Sequence, residues 1–395
     1  MNKTGTFIGG TLLIAGSCIG AGMLALPIAT GLAGFIPSVF SFLIAWGFMT
    51  LTGLLLVEVQ STFKERVNIG SMAERAMGPA GRIISWVLYL FLFYSLLIAY
   101  ISGSGSLAFT SFSIPKWLGS TIFTIGFGLL ALRGTRAVDH WNRLFMFGKI
   151  ATYLGMVILG FQYIQPQLLS RSEPLYAFFS LPVLVIAFGF HNMIPTLMTY
   201  MNQDAKKVRQ IILAGSIFAL VVYLIWDIVV LGIVPANGEW GILESLKQGR
   251  QASDAVAGIL GLSWVSTCAE GLAFFALLSS FLAQTLALIH FLADAVKVKS
   301  EKHETIPLCL LALVPPLIFG IIYPGIFINA LNFAGGICAV TLFGILPVIM
   351  AWKGRYGQGV YHGSYRLFGG KKLLIAIFAV ALFILLFQLK TMFHV

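Results

Sequence analysis

The chain has 395 residues, of which 58% are hydrophobic and only 10% are charged. Soluble domains carry about 25% charged residues, and 25 basic and 14 acidic side chains cannot cover a soluble chain of this length. Composition therefore excludes soluble, disordered and collagen-like proteins and predicts an all-α polytopic membrane protein. The net charge of +11 does not indicate nucleic-acid binding, because the cations lie in small groups between long apolar runs.

The apolar runs define the predicted transmembrane helices. A helix needs about 20 apolar residues to cross a bilayer, and the chain offers eleven such runs. The connection 61–82 is expected to hold a surface helix around Ser71–Met77, and the connection 235–262 to fold partly as an outer lid. The predicted spans are 6–30, 34–59, 83–107, 117–132, 144–165, 179–200, 210–234, 263–292, 306–323, 326–351 and 373–392.

The cations orient these spans. Twenty of the 25 Lys and Arg residues fall on one side of the predicted membrane. Cytoplasmic connections are enriched in Lys and Arg, so the N-terminus is predicted in the cytoplasm and the C-terminus outside. The larger group consists of Lys3, Lys64, Arg66, Arg75, Arg82, Arg133, Arg136, Arg143, Lys149, Lys206, Lys207, Arg209, Lys297, Lys299, Lys302, Lys353, Arg355, Arg366, Lys371 and Lys372.

Two of the eleven spans have the pattern of broken helices. The first span places three glycines within 16–22 and then Pro27, and the sixth places glycine, polar residues and proline within 189–195. Unwound backbone in hydrocarbon costs several kcal/mol per unpaired group unless it lines a cavity. Half-helix N-termini suit a carboxylate and unwound carbonyls suit an ammonium group. The two breaks together are therefore complementary to an α-amino acid.

The breaks are five spans apart, and this spacing predicts an inverted repeat. Since five is odd, spans six to ten run opposite to spans one to five, with the eleventh span outside the repeat. Gly16 and Gly20 also have the spacing of a small-xxx-small packing motif. Tight helix packing therefore remains the alternative for the first span taken alone.

Four segments of the chain resemble a known family. The stretches GSCIGAGMLALP in the first span, FGFHNMIP in the sixth, Tyr100-Ile101-Ser102-Gly103 in the third and Phe291-Leu292-Ala293-Asp294 in the eighth are similar to the bacterial hydroxy and aromatic amino-acid permeases, especially the tyrosine-specific ones. The resemblance implies a single transporter domain over 1–395 with the five-plus-five inverted repeat of amino-acid/polyamine/organocation transporters. The repeats cover about 6–165 and 179–351, and 373–392 is the extra helix. Proton-coupled uptake and an inner-membrane location are also implied.

The resemblance assigns substrate-binding roles at the two breaks. Gly20, Ala21 and Gly22 match the segment that holds the substrate carboxylate, although many relatives have serine where this chain has Ala21. Ser17 and Cys18 lie where carbonyls would meet the ammonium group. In the sixth span, Phe188, Gly189, Phe190 and His191 would supply carbonyls and an aromatic wall.

A tyrosine side chain needs an apolar slot and a partner for its hydroxyl, because an unpaired hydroxyl is costly to bury. Since the chain has 33 phenylalanines, any single one more often packs than binds. The expected wall residues are Phe188, Phe190, Tyr100 and Phe333, and the expected hydroxyl partners are Ser102, Ser104 and Asn192.

Few ionisable residues lie within the spans, and intramembrane charges usually mark function. Lys149 is about 7–8 Å from Leu144 at 1.5 Å per residue, and it resembles the lysine that replaces a sodium ion in some proton-coupled relatives. The alternative is that Lys149 snorkels to the cytoplasmic interface. Glu270 is the second coupling candidate, with His191 as its nearest chemical partner, although a lone membrane histidine more often serves packing. Ser279 and Ser280 leave a sodium site open as another interpretation.

The remaining motifs argue against other classes. The chain contains no HExxH, GxSxG or P-loop sequence, and His290 and Asp294 lie beside cations that disfavour a metal. Glu58 and Asp294 are expected to pair with neighbouring cations. We therefore predict no enzyme activity, metal or cofactor, and a transporter that imports tyrosine or a related aromatic amino acid together with a proton. Its partners would be the amino acid, the proton and the lipid bilayer, but no nucleic acid; sodium symport and a channel are the alternatives.

Overall fold

The computed structural model describes residues 5–63, 67–296, 305–357 and 363–393. Within these ranges all regular structure is helical. The first ten α-helices are α1 (Phe7–Cys18), α2 (Leu26–Gly31), α3 (Phe35–Gln60), α4 (Ile69–Met77), α5 (Pro79–Phe112), α6 (Lys116–Leu132), α7 (Thr135–Gly160), α8 (Pro166–Leu169), α9 (Ala177–Ala187) and α10 (Ile194–Tyr200). They are followed by α11 (Ala205–Ile233), α12 (Ile242–Gln248), α13 (Ala252–Leu260), α14 (Ser263–Val296), α15 (Thr305–Ile322), α16 (Phe327–Phe333), α17 (Leu346–Tyr356) and α18 (Gly370–Phe393).

Length and hydropathy identify the helical segments able to cross a membrane. Eight stretches of the described chain are long and apolar enough to span a bilayer. A ninth apolar unit is bent by 48° where Phe7–Cys18 meets Ala21–Gly31. Two shorter apolar helices, Lys116–Leu132 and Ile306–Ile322, complete the set found in the described residues. The architecture is thus that of a multi-span helical membrane protein.

The helices form two groups, and the members of each group pack on one another. In the first, α1 and α3 pack on α11, and α3 also packs on α9. In the second, α14 packs on α5 and α7, and α5 packs on α6 and α15. A π-helical segment, Ala334–Ile345, continues α16 and packs on α9. Here Gly335 lies so close to the carbonyl of Pro182 that a Cβ atom would clash with it.

Local sequence signals determine where several helices begin. Asp204 precedes α11 and accepts a hydrogen bond from the backbone N–H of Lys207 at 3.1 Å. The same N–H holds the pKa of the exposed Asp204 carboxyl below its ordinary value. Asn68 precedes α4 and accepts from the N–H of Ser71 at 2.8 Å. The surface helix expected in the connection 61–82 is therefore present, beginning at Ile69.

The structure differs most from the predicted boundaries at the fifth span. The helix begins at Thr135, well before the predicted start at 144. Residues 135–143 are polar enough to fall outside a hydropathy window, but hydropathy reports membrane depth and not where a helix ends. The connection 235–262 contains α12 and α13.

Six of the cations used for orientation lie outside the described residues: Lys3, Lys64, Arg66, Lys297, Lys299 and Lys302.

A buried ion pair joins distant parts of the chain. The Glu58 carboxylate at the end of α3 accepts hydrogen bonds from Arg355 Nε at 2.7 Å and Nη2 at 2.6 Å. The backbone N–H of Leu367 also donates to Glu58 at 2.7 Å. The expectation that Glu58 pairs with a cation is confirmed. The pair fixes α3, α17 and the segment before α18 to one another.

Candidate functional site

Both predicted break segments leave the α-helical conformation. In the first, α1 ends at Cys18 and a single 3₁₀ turn, Ala21–Leu24, precedes α2. In the second, α9 ends at Ala187 and a 3₁₀ turn, His191–Met193, precedes α10. The two segments lie side by side, since a Cβ atom on Gly22 would be 3.8 Å from Ala187.

Lys149 contacts the first break directly. Its Nζ donates a hydrogen bond to the carbonyl oxygen of Ile19 at 2.6 Å. The side chain comes from α7, and the residue is only 3% exposed. A snorkelling lysine would place its ammonium in water, so the observed contact disfavours that alternative. Lys149 instead supplies a donor to a carbonyl that the helix leaves unpaired.

Ser280 of α14 satisfies a donor in the same break. Its Oγ accepts a hydrogen bond from the backbone N–H of Ala21 at 2.9 Å. Gly20 permits this approach, because a Cβ atom there would lie 2.8 Å from Ser280 Oγ. The Tyr100 hydroxyl of α5 interacts with Ser280 and Gln284. The backbone N–H of Ala21 is thus paired with Ser280 of α14, and Ser280 in turn interacts with Tyr100 of α5.

Tyr223 of α11 links the two breaks. Its hydroxyl donates to the carbonyl of Cys18 at 2.6 Å and lies 3.0 Å from the carbonyl oxygen of Ala187. Trp226, one turn further along α11, donates its indole N–H to the carbonyl of Met23 at 3.1 Å. Both side chains are fully buried. These donors replace hydrogen bonds that the interrupted helices cannot make internally.

Replacing Tyr223 with phenylalanine should destabilise the protein by about 1–3 kcal/mol, because the buried carbonyl of Cys18 loses its donor. Chemical denaturation in detergent measures the change. Tyr94→Phe is the matched control, since the Tyr94 hydroxyl donates at 2.8 Å to the carbonyl of Leu311 in an exposed contact. We expect the control to change stability by less than about 0.5 kcal/mol. Equal effects of the two substitutions would contradict the linking role of Tyr223.

A cavity of about 1200 Å³ lies between the two helix groups and reaches both breaks. It extends to Asn68, Ser71 and Arg82 at the face that carries the connection 61–82. The lining includes nine of the residues predicted for substrate binding or proton coupling, namely Ser17, Cys18, Gly20, Ala21, Gly22, Tyr100, Lys149, Gly189 and the hydroxyl partner Asn192.

The other predicted residues lie outside the lining of this cavity. His191 is fully buried, with Nε2 3.0 Å from Thr52 Oγ1 and its ring stacked between Phe190 and Phe343. Its hydrogen-bond partner is thus Thr52, whereas Glu270 was the partner expected. Phe188 packs its ring edge on Tyr223. Ser102 and Phe333 are likewise absent from the lining, as are the alternative hydroxyl partner Ser104 and the coupling candidate Glu270.

The end of the bundle opposite the cavity mouth is covered by α12 and α13. Gln251 donates from Nε2 to the carbonyl of Gly103 in α5 at 3.0 Å. Burial raises the pKa of Asp254 to about 6, and the charges that act on this carboxyl are Arg250, Glu270 and Lys116. Glu270 therefore belongs to this covered end, and not to the cavity that Lys149 lines.

Two residues that hold the breaks in place carry a signal that sequence reasoning missed. Tyr223 and Trp226 are polar aromatic residues in the middle of an apolar helix, where each needs a buried partner. The cavity wall itself contains an aromatic group that was not predicted, from α5, α14 and the π-helical segment. This group, called the aromatic cluster below, consists of Trp86, Tyr89, Phe93, Phe291 and Phe343.

A bundle of apolar helices around a cavity that meets two interrupted helices is the architecture of a membrane transport protein. The chain belongs to the tryptophan/tyrosine permease family, whose model matches residues 3–388. It is a multi-pass protein of the bacterial inner membrane, and its family consists of transport proteins and not enzymes.

Individual relatives agree with this placement. The chain is 33% identical to tyrosine-specific transport system 1 of Haemophilus influenzae, over 97% of this chain and 96% of that protein. It is 31% identical to a tryptophan-specific transport protein of Pseudomonas aeruginosa, over 95% and 93% of the two chains. The fold is similar to that of MhsT, crystallised in complex with L-phenylalanine, with a TM-score of 0.66, 13% identity, and coverage of 97% of this chain and 98% of MhsT.

Proposed function

We propose that the protein imports tyrosine or a related aromatic amino acid by proton symport with alternating access. The observation that carries the proposal is the cavity that reaches both breaks, where the buried Lys149 donates a hydrogen bond to the carbonyl of Ile19. The names of the tyrosine- and tryptophan-specific relatives support an aromatic substrate. MhsT, which has the same fold, was crystallised with an aromatic amino acid.

The proposed topology has eleven membrane crossings. The eight long apolar stretches, the bent first unit and the two shorter apolar helices would each cross once. Spans one and six are the broken helices of a five-plus-five inverted repeat, and α18 is the additional helix. With the N-terminus in the cytoplasm and the C-terminus outside, the cavity mouth faces the cytoplasm and α12–α13 cover the outer end. This is the geometry of an inward-open state.

The substrate backbone would bind at the first break. We assign the carboxylate to the backbone of Gly20, Ala21 and Gly22, at the N-terminal end of the helical segment that follows. The N–H of Ala21 now donates to Ser280 Oγ, and an incoming carboxylate would replace that hydroxyl. The ammonium group would bind near Ser17 and Cys18. Gly189 lines the sixth-span side of the cavity.

Lys149 is the proposed proton carrier. A lysine ammonium held on a carbonyl at the break occupies a position that a coupling cation would otherwise take. Loss of its proton would weaken the hydrogen bond to the Ile19 carbonyl, since charge-assisted hydrogen bonds are the stronger ones, and would allow the first break to rearrange. Glu270 lies at the opposite end of the bundle, which the proposed topology puts outside. It would serve there as a second proton acceptor.

Uptake by reconstituted protein tests the proposed function. Proteoliposomes should accumulate labelled tyrosine when the outside is acidic, and a protonophore should abolish the accumulation. An inward sodium gradient alone should give no accumulation. If sodium drives uptake and protons do not, the coupling proposal is wrong. A flux that neither saturates nor shows counterflow would instead indicate a channel.

A further inference from the structure

The aromatic cluster forms a wall of rings on the cavity. Trp86 and Phe291 stack with centroids 5.1 Å apart, and Tyr89 lies 5.8 Å from Phe93 and 6.3 Å from Phe343. These rings come from α5, α14 and the π-helical segment, so three separate elements hold them. Ring pairs at such distances are favourable arrangements and form a rigid apolar surface. A flat aromatic side chain is the ligand shape that this surface fits.

One hydrogen-bonded polar pair lies within this wall. The Tyr89 hydroxyl donates to Oδ1 of Asn192 at 2.7 Å, and both residues line the cavity. Asn192 lies within the second break, in the 3₁₀ turn His191–Met193, so the pair connects the sixth span to α5. An asparagine amide also has two N–H donors, and a tyrosine oxygen that donates can still accept. The pair therefore offers the cavity one donor group and one acceptor.

The other predicted hydroxyl partners are less suited to a ligand. Ser104 Oγ donates to the carbonyl of Ile101 at 2.7 Å, and neither Ser104 nor Ser102 belongs to the cavity lining. The Tyr100 hydroxyl interacts with Ser280 and Gln284. Of the three hydroxyl partners named from the sequence, Asn192 is the one that lines the cavity in the described chain.

We propose that Tyr89 and Asn192 are the specificity-determining pair that selects tyrosine by hydrogen bonding to its phenol group. The inference rests on the function proposed above and names the substrate of the same cavity. A phenol accepts from the Asn192 amide and donates to Tyr89 Oη, so it uses both groups. An indole N–H only donates, and a phenyl ring does neither. The expected order of affinity is therefore tyrosine, then tryptophan, then phenylalanine.

The test compares competitors in reconstituted full-length protein. Unlabelled tyrosine, tryptophan, phenylalanine and 4-fluorophenylalanine compete for uptake of labelled tyrosine. The wild type should prefer tyrosine over phenylalanine by about tenfold or more, because a site built for a hydroxyl rejects an analogue that lacks it. 4-Fluorophenylalanine should compete no better than phenylalanine. A preference below about twofold, or a stronger preference for tryptophan, overturns the proposal without any variant.

Variants then assign the preference to the pair. Tyr89→Phe and Asn192→Leu should each reduce the tyrosine-to-phenylalanine ratio towards one while the affinity for phenylalanine stays within about threefold. Tyr94→Phe, on the same helix with an exposed hydroxyl contact, should retain the wild-type ratio. A wild-type ratio in a variant that still takes up phenylalanine overturns the proposal.

Failure of the inference differs from failure of the proposed function. If the wild-type protein takes up none of the aromatic amino acids, both are wrong. If it accumulates them but does not discriminate through Tyr89 and Asn192, the proposed function stands and the inference alone is wrong. Residual phenylalanine uptake by each variant provides the check that the protein is folded.

Discussion

Lys149→Ala should abolish accumulation of tyrosine against its gradient while leaving exchange of internal for external substrate. The ammonium that donates to Ile19 is lost, and with it the proposed link between proton binding and the first break. Without that link, substrate can equilibrate but no proton gradient can be used. Gradient-driven uptake should fall to the level of empty liposomes, whereas counterflow with preloaded tyrosine should remain measurable. Proteoliposome uptake with and without an acidic exterior gives both values.

Two further variants separate charge from proton release. Lys149→Arg keeps a permanent positive charge, because a guanidinium does not lose its proton in proteins. We expect it to fail in accumulation as the alanine variant does. Lys206→Ala removes an exposed lysine at the start of α11 and should behave as wild type. Accumulation by Lys149→Ala at the wild-type level would assign the coupling to Glu270 or to a cation instead.

The position of Lys149 illustrates what the sequence could and could not provide. Hydropathy located the span and so identified an ionisable residue within it. It also placed the helix start at 144, whereas the helix begins at Thr135. Lys149 is therefore about 21 Å along α7 at 1.5 Å per residue. The contact with Ile19 joins residues far apart in the chain, and no local pattern predicts such a contact.

The two break segments were also predictable in part only. Glycine and proline spacing identified 16–22 and 189–195, and residues from both segments line the cavity. The direction of Phe188, Phe190 and His191 was not predictable, because non-helical backbone has no fixed side-chain period. In the structure the Phe188 ring packs on Tyr223, the His191 ring contacts Thr52 and Phe343, and the Phe190 ring stacks on His191. The aromatic cluster replaces them as the cavity wall, because three elements brought together by the fold supply it.

Glu58→Gln should destabilise the protein by about 3–5 kcal/mol, the usual cost of leaving one partner of a buried ion pair uncompensated. Arg355 is only 9% exposed and Glu58 only 7%. The carboxylate accepts from two nitrogens of Arg355 and from the N–H of Leu367. Removing its charge therefore weakens the junction of α3, α17 and the segment before α18. Chemical denaturation in detergent measures the loss.

Glu74→Gln is the matched control for this prediction. Glu74 pairs with Arg82 at 3.5 Å, but their side chains are 40% and 67% exposed. Exposed pairs contribute at most about 1 kcal/mol, so this variant should unfold close to the wild type. The double variant Glu58→Gln/Arg355→Met should be more stable than Glu58→Gln alone, because it removes the stranded guanidinium charge. Equal stability of the Glu58 and Glu74 variants would show that the buried pair does not hold these helix ends together.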